Sequence, residues 1–310
     1  MSESLSELVK RLEESSSELA EELKNFEHIA VHLMPLSGEI PKLEGIDVYG
    51  EVIPLTGMIG GDHITYVDFK QRYNLDAMIS ERRNAGQRDI ARMLEVNKRR
   101  AGILIADASG HRITDAAMCA MLHQAFLVGA GYELKMHGEI TPELFHDISN
   151  RFYHSSAVDK FITMLYGEIS ESGTFKFISA AHPVPVVFSN LYDKIVDIDP
   201  KKMSGFPPLG TWLSEGNSGY VNVGNKKVDT GGNSVNKIEL IGSGDILILY
   251  TDGLSEHKNG EEPYFPGRLE SVIRAAKHLS AKEISDSIKR DIFRFAKPTD
   301  DISYVIIKKE

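Results

Sequence analysis

The chain predicts an α+β domain built in layers, with strands in runs and helices grouped between them rather than in strict βαβ alternation. Two observations predict it. Short apolar strand-like segments recur from residue 46 to the C-terminus, and helical periodicity gathers in a few separate blocks. With 310 residues, 42% hydrophobic and 26% charged, the chain can bury a full core, and disorder is not expected. No internal repeat and no domain-sized linker is visible, so one domain preceded by an N-terminal helix is expected.

Residues 1–30 form the first element. Leu5, Leu12, Leu19 and Phe26 recur every seven residues, with Leu8, Val9, Leu23 and Ile29 on the same side. The helix either packs on its own domain or serves as a dimerising or signal-receiving helix. Pro35, Gly38 and Pro41 then break it, and the domain proper is expected over 31–310. Strands follow at Ile46 to Ile53, His63 to Phe69 and Gly102 to Ala106. Thr114 opens a helix expected to end near Gly129 and Gly131, and Thr141-Pro142 is an N-cap with Pro at the first helical position. Phe161 to Ile169 and Thr174 to Ser179 pair as a hairpin across Glu171-Ser172-Gly173. Val184 to Phe188, Lys194 to Ile198, Ile246 to Tyr250 and Ile302 to Ile307 complete the strands. Ser280 with Glu283 fits a capping box that opens the last helix.

Two segments read as insertions. Residues 70–100 carry nine Lys or Arg against four acids, a local +5 in a chain of −10. Their ends join strands that carry acidic motifs, so the insertion is expected across or beside the mouth of the acidic site, where Arg82 and Arg83 could meet an acidic or phosphorylated partner. The alternative is a solvated helical hairpin that only covers an apolar sheet edge. Leu213 to Asn236, rich in Gly and Asn, reads as a long loop or an extra hairpin.

The net charge of −10 argues against general binding to nucleic acid or an anionic membrane. Cys119 is the only cysteine, which excludes an intrachain disulfide framework and a Cys-rich zinc site. No signal peptide and no membrane-length apolar run is visible, so a cytoplasmic protein is expected.

Five acidic motifs stand at strand ends: Gly60-Gly61-Asp62, Asp107-Ala108-Ser109-Gly110-His111, Gly244-Asp245, Thr251-Asp252-Gly253 and Thr299-Asp300-Asp301. Any one could be a turn former. If the fold gathers these carboxylates, they repel one another unless cations neutralise them, and oxygen-only ligands suit Mg²⁺ or Mn²⁺. Two such ions can generate hydroxide and clamp a phosphoryl group, so the motifs read as a two-metal phosphoesterase.

The ordered set resembles the PPM family of metal-dependent Ser/Thr phosphatases, and within it the SpoIIE and RsbU type. The resemblance runs from about Leu33-Met34-Pro35 to the C-terminus and includes His182-Pro183 and Pro207-Pro208-Leu209-Gly210. It implies an α-β-β-α sandwich of two antiparallel sheets flanked by helices. It also implies two Mn²⁺ or Mg²⁺ ions, with Asp107 bridging them, Asp252 and Asp300 completing one, and Asp62 with the Ala108 carbonyl binding the other. By the same resemblance a hydroxide bridging the ions attacks phosphorus in line, and the substrate is a phosphorylated STAS-type anti-sigma-factor antagonist.

Departures from the family pattern are Arg112, where a Gly is usual, and Ala181 before His182-Pro183. Arg112 either contacts a substrate phosphate or is a solvated residue at a helix start. His111 either acts as a general acid or caps the turn beside Gly110. His182 and Cys119 read as core residues, Asp245 as a turn former, and Asp301 as a partner that orients Asp300 or as an alternative ligand. Two further classes compete: a signalling module with vestigial metal sites, against which all the expected carboxylates are present, and a nucleotide cyclase, which lacks its acidic pair after Gly60-Gly61-Asp62.

Overall fold

Strands that are apolar at every position need cover on both faces, and here two stacked sheets lie between two helical layers. The computed structural model describes residues 5–31, 39–55, 60–110, 113–155, 160–196, 198–214, 220–223, 226–229, 235–240 and 242–310. The chain runs α1 (Leu5–Val31), β1 (Ile46–Ile53), β2 (Asp62–Asp68), α2 (Phe69–Arg72), α3 (Leu75–Asn84), α4 (Arg88–Asn97), β3 (Arg100–Ala108) and α5 (Ile113–Met136). Next come α6 (Pro142–Ser155), β4 (Ile162–Ser170), β5 (Thr174–Ala180), β6 (Val186–Ser189), β7 (Lys194–Val196), β8 (Leu213–Ser214), β9 (Tyr220–Val223) and β10 (Lys226–Asp229). The last elements are β11 (Asn236–Glu239), β12 (Ile246–Tyr250), α7 (Asp252–Ser255), β13 (Lys258–Asn259), β14 (Glu262–Pro263), α8 (Gly267–Ala276), α9 (Ala281–Phe295) and β15 (Ile302–Lys309).

One sheet has the order β1-β15-β12-β6-β7 and the other β11-β5-β4-β3-β2, every pair antiparallel. Successive side chains on a strand point to opposite faces, so each strand feeds two cores. Along β12 and β15, Leu247, Leu249, Val305 and Ile307 meet Ile64, Ile103 and Ile105 of the other sheet. Their neighbours Ile246, Ile248, Tyr304 and Ile306 meet Ile273, Ile284, Ile288 and Ile292 of α8 and α9. On the opposite side Leu104 and Ala106 pack beneath Leu122, Phe126 and Phe145 of α5 and α6. The result is the α-β-β-α sandwich expected from the resemblance.

Two expectations need correction or refinement. Helix α5 does not end near Gly129 and Gly131 but runs on to Met136. Gly129 is a contact residue: a Cβ there would lie 2.2 Å from Leu144 Cδ1, so the glycine lets α6 approach α5. Within residues 213–236, the described residues 213–214, 220–223 and 226–229 form a small sheet of order β10-β9-β8, the extra-hairpin alternative.

Helix α1 carries its heptad seam in solvent. Leu5, Leu12 and Leu19 are 81%, 62% and 68% exposed, and the helix leans on α5 with Phe26 half-buried.

Candidate metal centre

Asp62 opens β2 and Asp107 lies near the end of β3, and the antiparallel register sets them directly opposite each other. The facing sheet supplies the other carboxylates. Strands β12 and β15 are neighbours; β12 runs into Asp252 at the start of α7, and Asp300-Asp301 runs into β15. The Thr251 hydroxyl joins the sheets, donating to Asp62 Oδ2 at 2.8 Å while accepting from the Ser303 amide at 2.9 Å. Asp62 is buried, Asp107 half-buried, and Asp252 and Asp300 exposed, so the group forms a graded mouth.

Electrostatics follow from this placement. Burial and the charges of Asp62, Asp252, Asp300 and Asp301 push Asp107 up to about 9. Burial raises Asp62 well above the carboxylate range, helped by Asp301 and Asp252 and opposed by the Thr251 hydrogen bond. Asp252, open to solvent on one side, is raised by partial desolvation and by the charge of Asp300. Among the described residues no three His, Cys, Asp or Glu side chains close at ligating distance. The carboxylates are nonetheless close enough to raise one another, and a cation is the species that relieves that repulsion. The donor set, four carboxylates and a backbone carbonyl, fits a hard divalent ion such as Mg²⁺ or Mn²⁺.

The glycines of Gly60-Gly61-Asp62 have a steric cause. A Cβ on Gly61 would lie 2.1 Å from the Gly110 carbonyl oxygen and 3.0 Å from that of Ala108. The carbonyl of Ala108, expected as a ligand, is therefore held over this turn, and the Ala108 amide donates to Gly61 O at 2.9 Å. Beneath it the Cys119 thiol also donates to Gly61 O, at 2.8 Å, so the lone cysteine is a buried core residue that additionally braces the turn.

Asp301 is tied into the backbone beside Asp62. Its two carboxylate oxygens accept from the Leu55 and Gly61 amides at 2.6 and 2.7 Å, while its own amide donates to Asp300 Oδ1 at 2.8 Å. Asp245 makes the expected turn, accepting from Asn190 and Gly242 amides. His182 is buried, and its Nδ1 meets at 3.1 Å the hydroxyl of Thr163, the residue paired with Asp107 across β3 and β4. Burial lowers it to about 3, so it is neutral and structural. His111 and Arg112 lie outside the described residues.

Arg82 and Arg83 are not at the site, and the expected position of residues 70–100 is wrong. The connection leaves β2 at Asp68 and enters β3 at Arg100, the end of the hairpin opposite Asp62 and Asp107. Six residues of strand at about 3.4 Å each put it ~20 Å away. Sequence proximity to both acidic motifs concealed this, because an antiparallel pair returns the chain to the site only after two strand lengths. Leu75, Ile79, Ala91 and Leu94 bury against the sheet, while Arg83 pairs with Glu95 at 3.0 Å and Lys98 with Asp76 at 2.8 Å. The segment is the covering helical hairpin.

Other residues near the site carry no sequence signal. Lys160 donates to the Ser109 carbonyl at 3.1 Å and to the fully buried carboxylate of Asp115, pinning the turn after Ala108. His63 and His123 hydrogen-bond at 2.9 Å, and Thr65 meets both, fastening α5 to β2 below Asp62. These contacts join segments at least 45 residues apart, apart from the Thr65–His63 pair, which explains their invisibility.

A family model described as Stage II sporulation protein E (SpoIIE) matches residues 97–217 and 234–310. Among solved structures, the SiaA-PP2C domain of Pseudomonas aeruginosa superposes with a TM-score of 0.61 at 13% identity, over 96% of this chain and 98% of that one. The RsbU and RsbW domains of a Mycobacterium tuberculosis protein give 0.59 at 20% identity, over 89% of this chain and 64% of that one. The PP2C phosphatase domain of SpoIIE from Bacillus subtilis, solved with a fragment of its regulatory domain, gives 0.54 at 14% identity, over 85% and 63%. The chain thus spans less than two thirds of the last two, and at these identities the likeness is one of fold. Curated protein sequences give no match.

Proposed function

Since the chain belongs to the SpoIIE family and carries a phosphatase domain of the PP2C type, we propose that it hydrolyses phosphoserine or phosphothreonine on a protein substrate with two Mn²⁺ or Mg²⁺ ions. The observation that supports this most is the in-register pair Asp62 and Asp107 facing Asp252 and Asp300 from the other sheet. Asp107 would lie between the ions, Asp252 and Asp300 on one, Asp62 and the Ala108 carbonyl on the other. When bound, such ions activate water and neutralise the phosphoryl oxygens. The protein's own part is to hold the carboxylates on rigid strand ends. Thr251 orients Asp62, and Gly61 leaves room for the Ala108 and Gly110 carbonyls beside it.

The proposed substrate is a phosphorylated STAS-type anti-sigma-factor antagonist, supported by the resemblance to SpoIIE and RsbU-type phosphatases, and the proposed setting is the cytoplasm. Among the described residues no helix is long and apolar enough to cross a membrane. The purified chain is expected to release phosphate from phosphorylated STAS proteins and from an aryl phosphate with Mn²⁺, and to stop when EDTA is added. Absence of turnover on both substrates with Mn²⁺ present would overturn the reading in favour of a binding module.

Helix α1 is proposed as a dimerising or regulatory element of the same enzyme, supported by its exposed seam of Leu5, Leu12 and Leu19. Sedimentation is expected to give a dimer for the full chain and a monomer for residues 39–310. Equal masses and equal activity would remove that role.

A further inference from the structure

We propose that Asp301 is a positioning residue, one that sets Asp62 against Asp300 without ligating an ion; the proposal rests on the metal-dependent reading above. Asp301 stands at the leading end of β15; Leu55 follows β1, its neighbour in the same sheet, whereas Gly61 leads into β2 of the other sheet. Its carboxylate accepts from the Leu55 amide at 2.6 Å and from the Gly61 amide at 2.7 Å, one on each oxygen. The side chain is shut away, with Asp301 only 4% exposed. Its amide donates to Asp300 Oδ1 at 2.8 Å. One residue therefore places the backbone before Asp62 with its side chain and orients Asp300 with its main chain.

The chemistry explains the acidic doublet. Two converging N–H groups need two acceptor oxygens, which Asp has and Asn lacks. Hydrogen bonds to an ionised oxygen are the stronger kind. Gly60 records the same contact from the other side: the three atoms nearest a Cβ built on it are all in the Asp301 carboxylate, at 2.2, 2.4 and 2.5 Å. The Gly60-Gly61 pair is thus shaped around Asp301, and the doublet divides its labour, Asp300 outward to the ion and Asp301 inward to the fold.

Calorimetric titration of Mn²⁺ into the full-length protein tests this without reading turnover. Asp301→Ala is expected to keep the number of bound ions and to weaken their affinity about 10–100-fold, the scale of outer-shell losses. Asp301→Asn should fall between it and the wild type. Asp300→Asn, a ligand change, should instead lose an ion. Gly60→Ala should weaken Mn²⁺ at least about tenfold in the wild type, yet cost little more when added to Asp301→Ala, because the carboxylate it strikes is gone. Circular dichroism shows which variants fold; should Asp301→Ala not fold, Asp301→Asn and Gly60→Ala still decide the matter.

The proposal is overturned if Asp301→Ala or Asp301→Asn loses an ion as Asp300→Asn does. It is equally overturned if the Asp301 variants bind like the wild type, or if the Gly60 and Asp301 effects are independent. Wild-type protein that binds no Mn²⁺ removes the inference together with metal dependence. Wild-type protein that binds Mn²⁺ and hydrolyses nothing removes only the proposed activity.

Discussion

Asp107→Asn is expected to lower turnover by roughly three orders of magnitude or more at saturating Mn²⁺, the several kcal/mol that metal-ion charge stabilisation supplies. Asp252→Asn should do the same. The amide keeps the shape of the carboxylate but carries no charge to neutralise a cation. A second, independent signature lies in stability without metal. In the unfolded chain Asp titrates near 3.9, whereas in the fold Asp107 is pushed up to about 9, by burial first and then by Asp62, Asp252, Asp300 and Asp301. Between those values the folded state keeps a proton that the unfolded state has released. The contribution is therefore fully present below about pH 4 and is lost progressively as pH rises towards 9. Asn has no such proton. Thermal unfolding at pH 8 with EDTA should then rank Asp107→Asn above the wild type, and Mn²⁺ should reverse the order by stabilising the wild type alone. Near-wild-type turnover, or no reversal with metal, would count against Asp107 as the central carboxylate.

Gly253→Ala is the second large effect. Gly253 is buried in the first turn of α7, directly after Asp252, and a Cβ there would lie 1.9 Å from the Asp301 carbonyl oxygen. That neighbour is backbone, so no rotamer change relieves the clash. Either α7 or the start of β15 must shift, and each carries a carboxylate of the site. We expect a loss of about 1–3 kcal/mol in stability, together with at least about a 100-fold loss in turnover because Asp252 and Asp300 no longer hold their spacing. Gly267→Ala is the control. Nothing lies within 4 Å of its Cβ position and it is the first residue of α8, so it should be neutral or stabilising by up to about 1 kcal/mol. Denaturant unfolding and Mn²⁺-dependent phosphate release separate the two variants. Equal behaviour would mean that the Asp252-Gly253 turn is looser than the geometry requires.

What the sequence by itself determined is most of the strands, the longer helices and the standing of acidic residues at strand ends. Ile246 to Tyr250 is a continuous apolar run and Ile302 to Ile307 is one broken only by Ser303, because both faces are buried, and such runs can be read without coordinates. The capping box at Ser280 and Glu283 is local chemistry and appears as expected. Asp62, Asp107, Asp252 and Asp300 stand at strand ends, where the strand itself delivers them. Tertiary structure alone decided three things. Register decided that residues 70–100 lie at the far end of the β2–β3 hairpin, since antiparallel pairing places Asp62 beside Asp107 and Asp68 beside Ala101. Helix packing decided that Gly129 is a point of approach to Leu144 and not a stop, because a glycine's use depends on what faces it. Sheet stacking decided that Asp301 grips the Gly61 amide and that Thr251 holds Asp62, contacts between residues 240 and 189 positions apart. Periodicity and capping act within a few residues, so they are legible in order along the chain. Bonds that cross between sheets depend on which strand ends the core brings together, and no local pattern carries that.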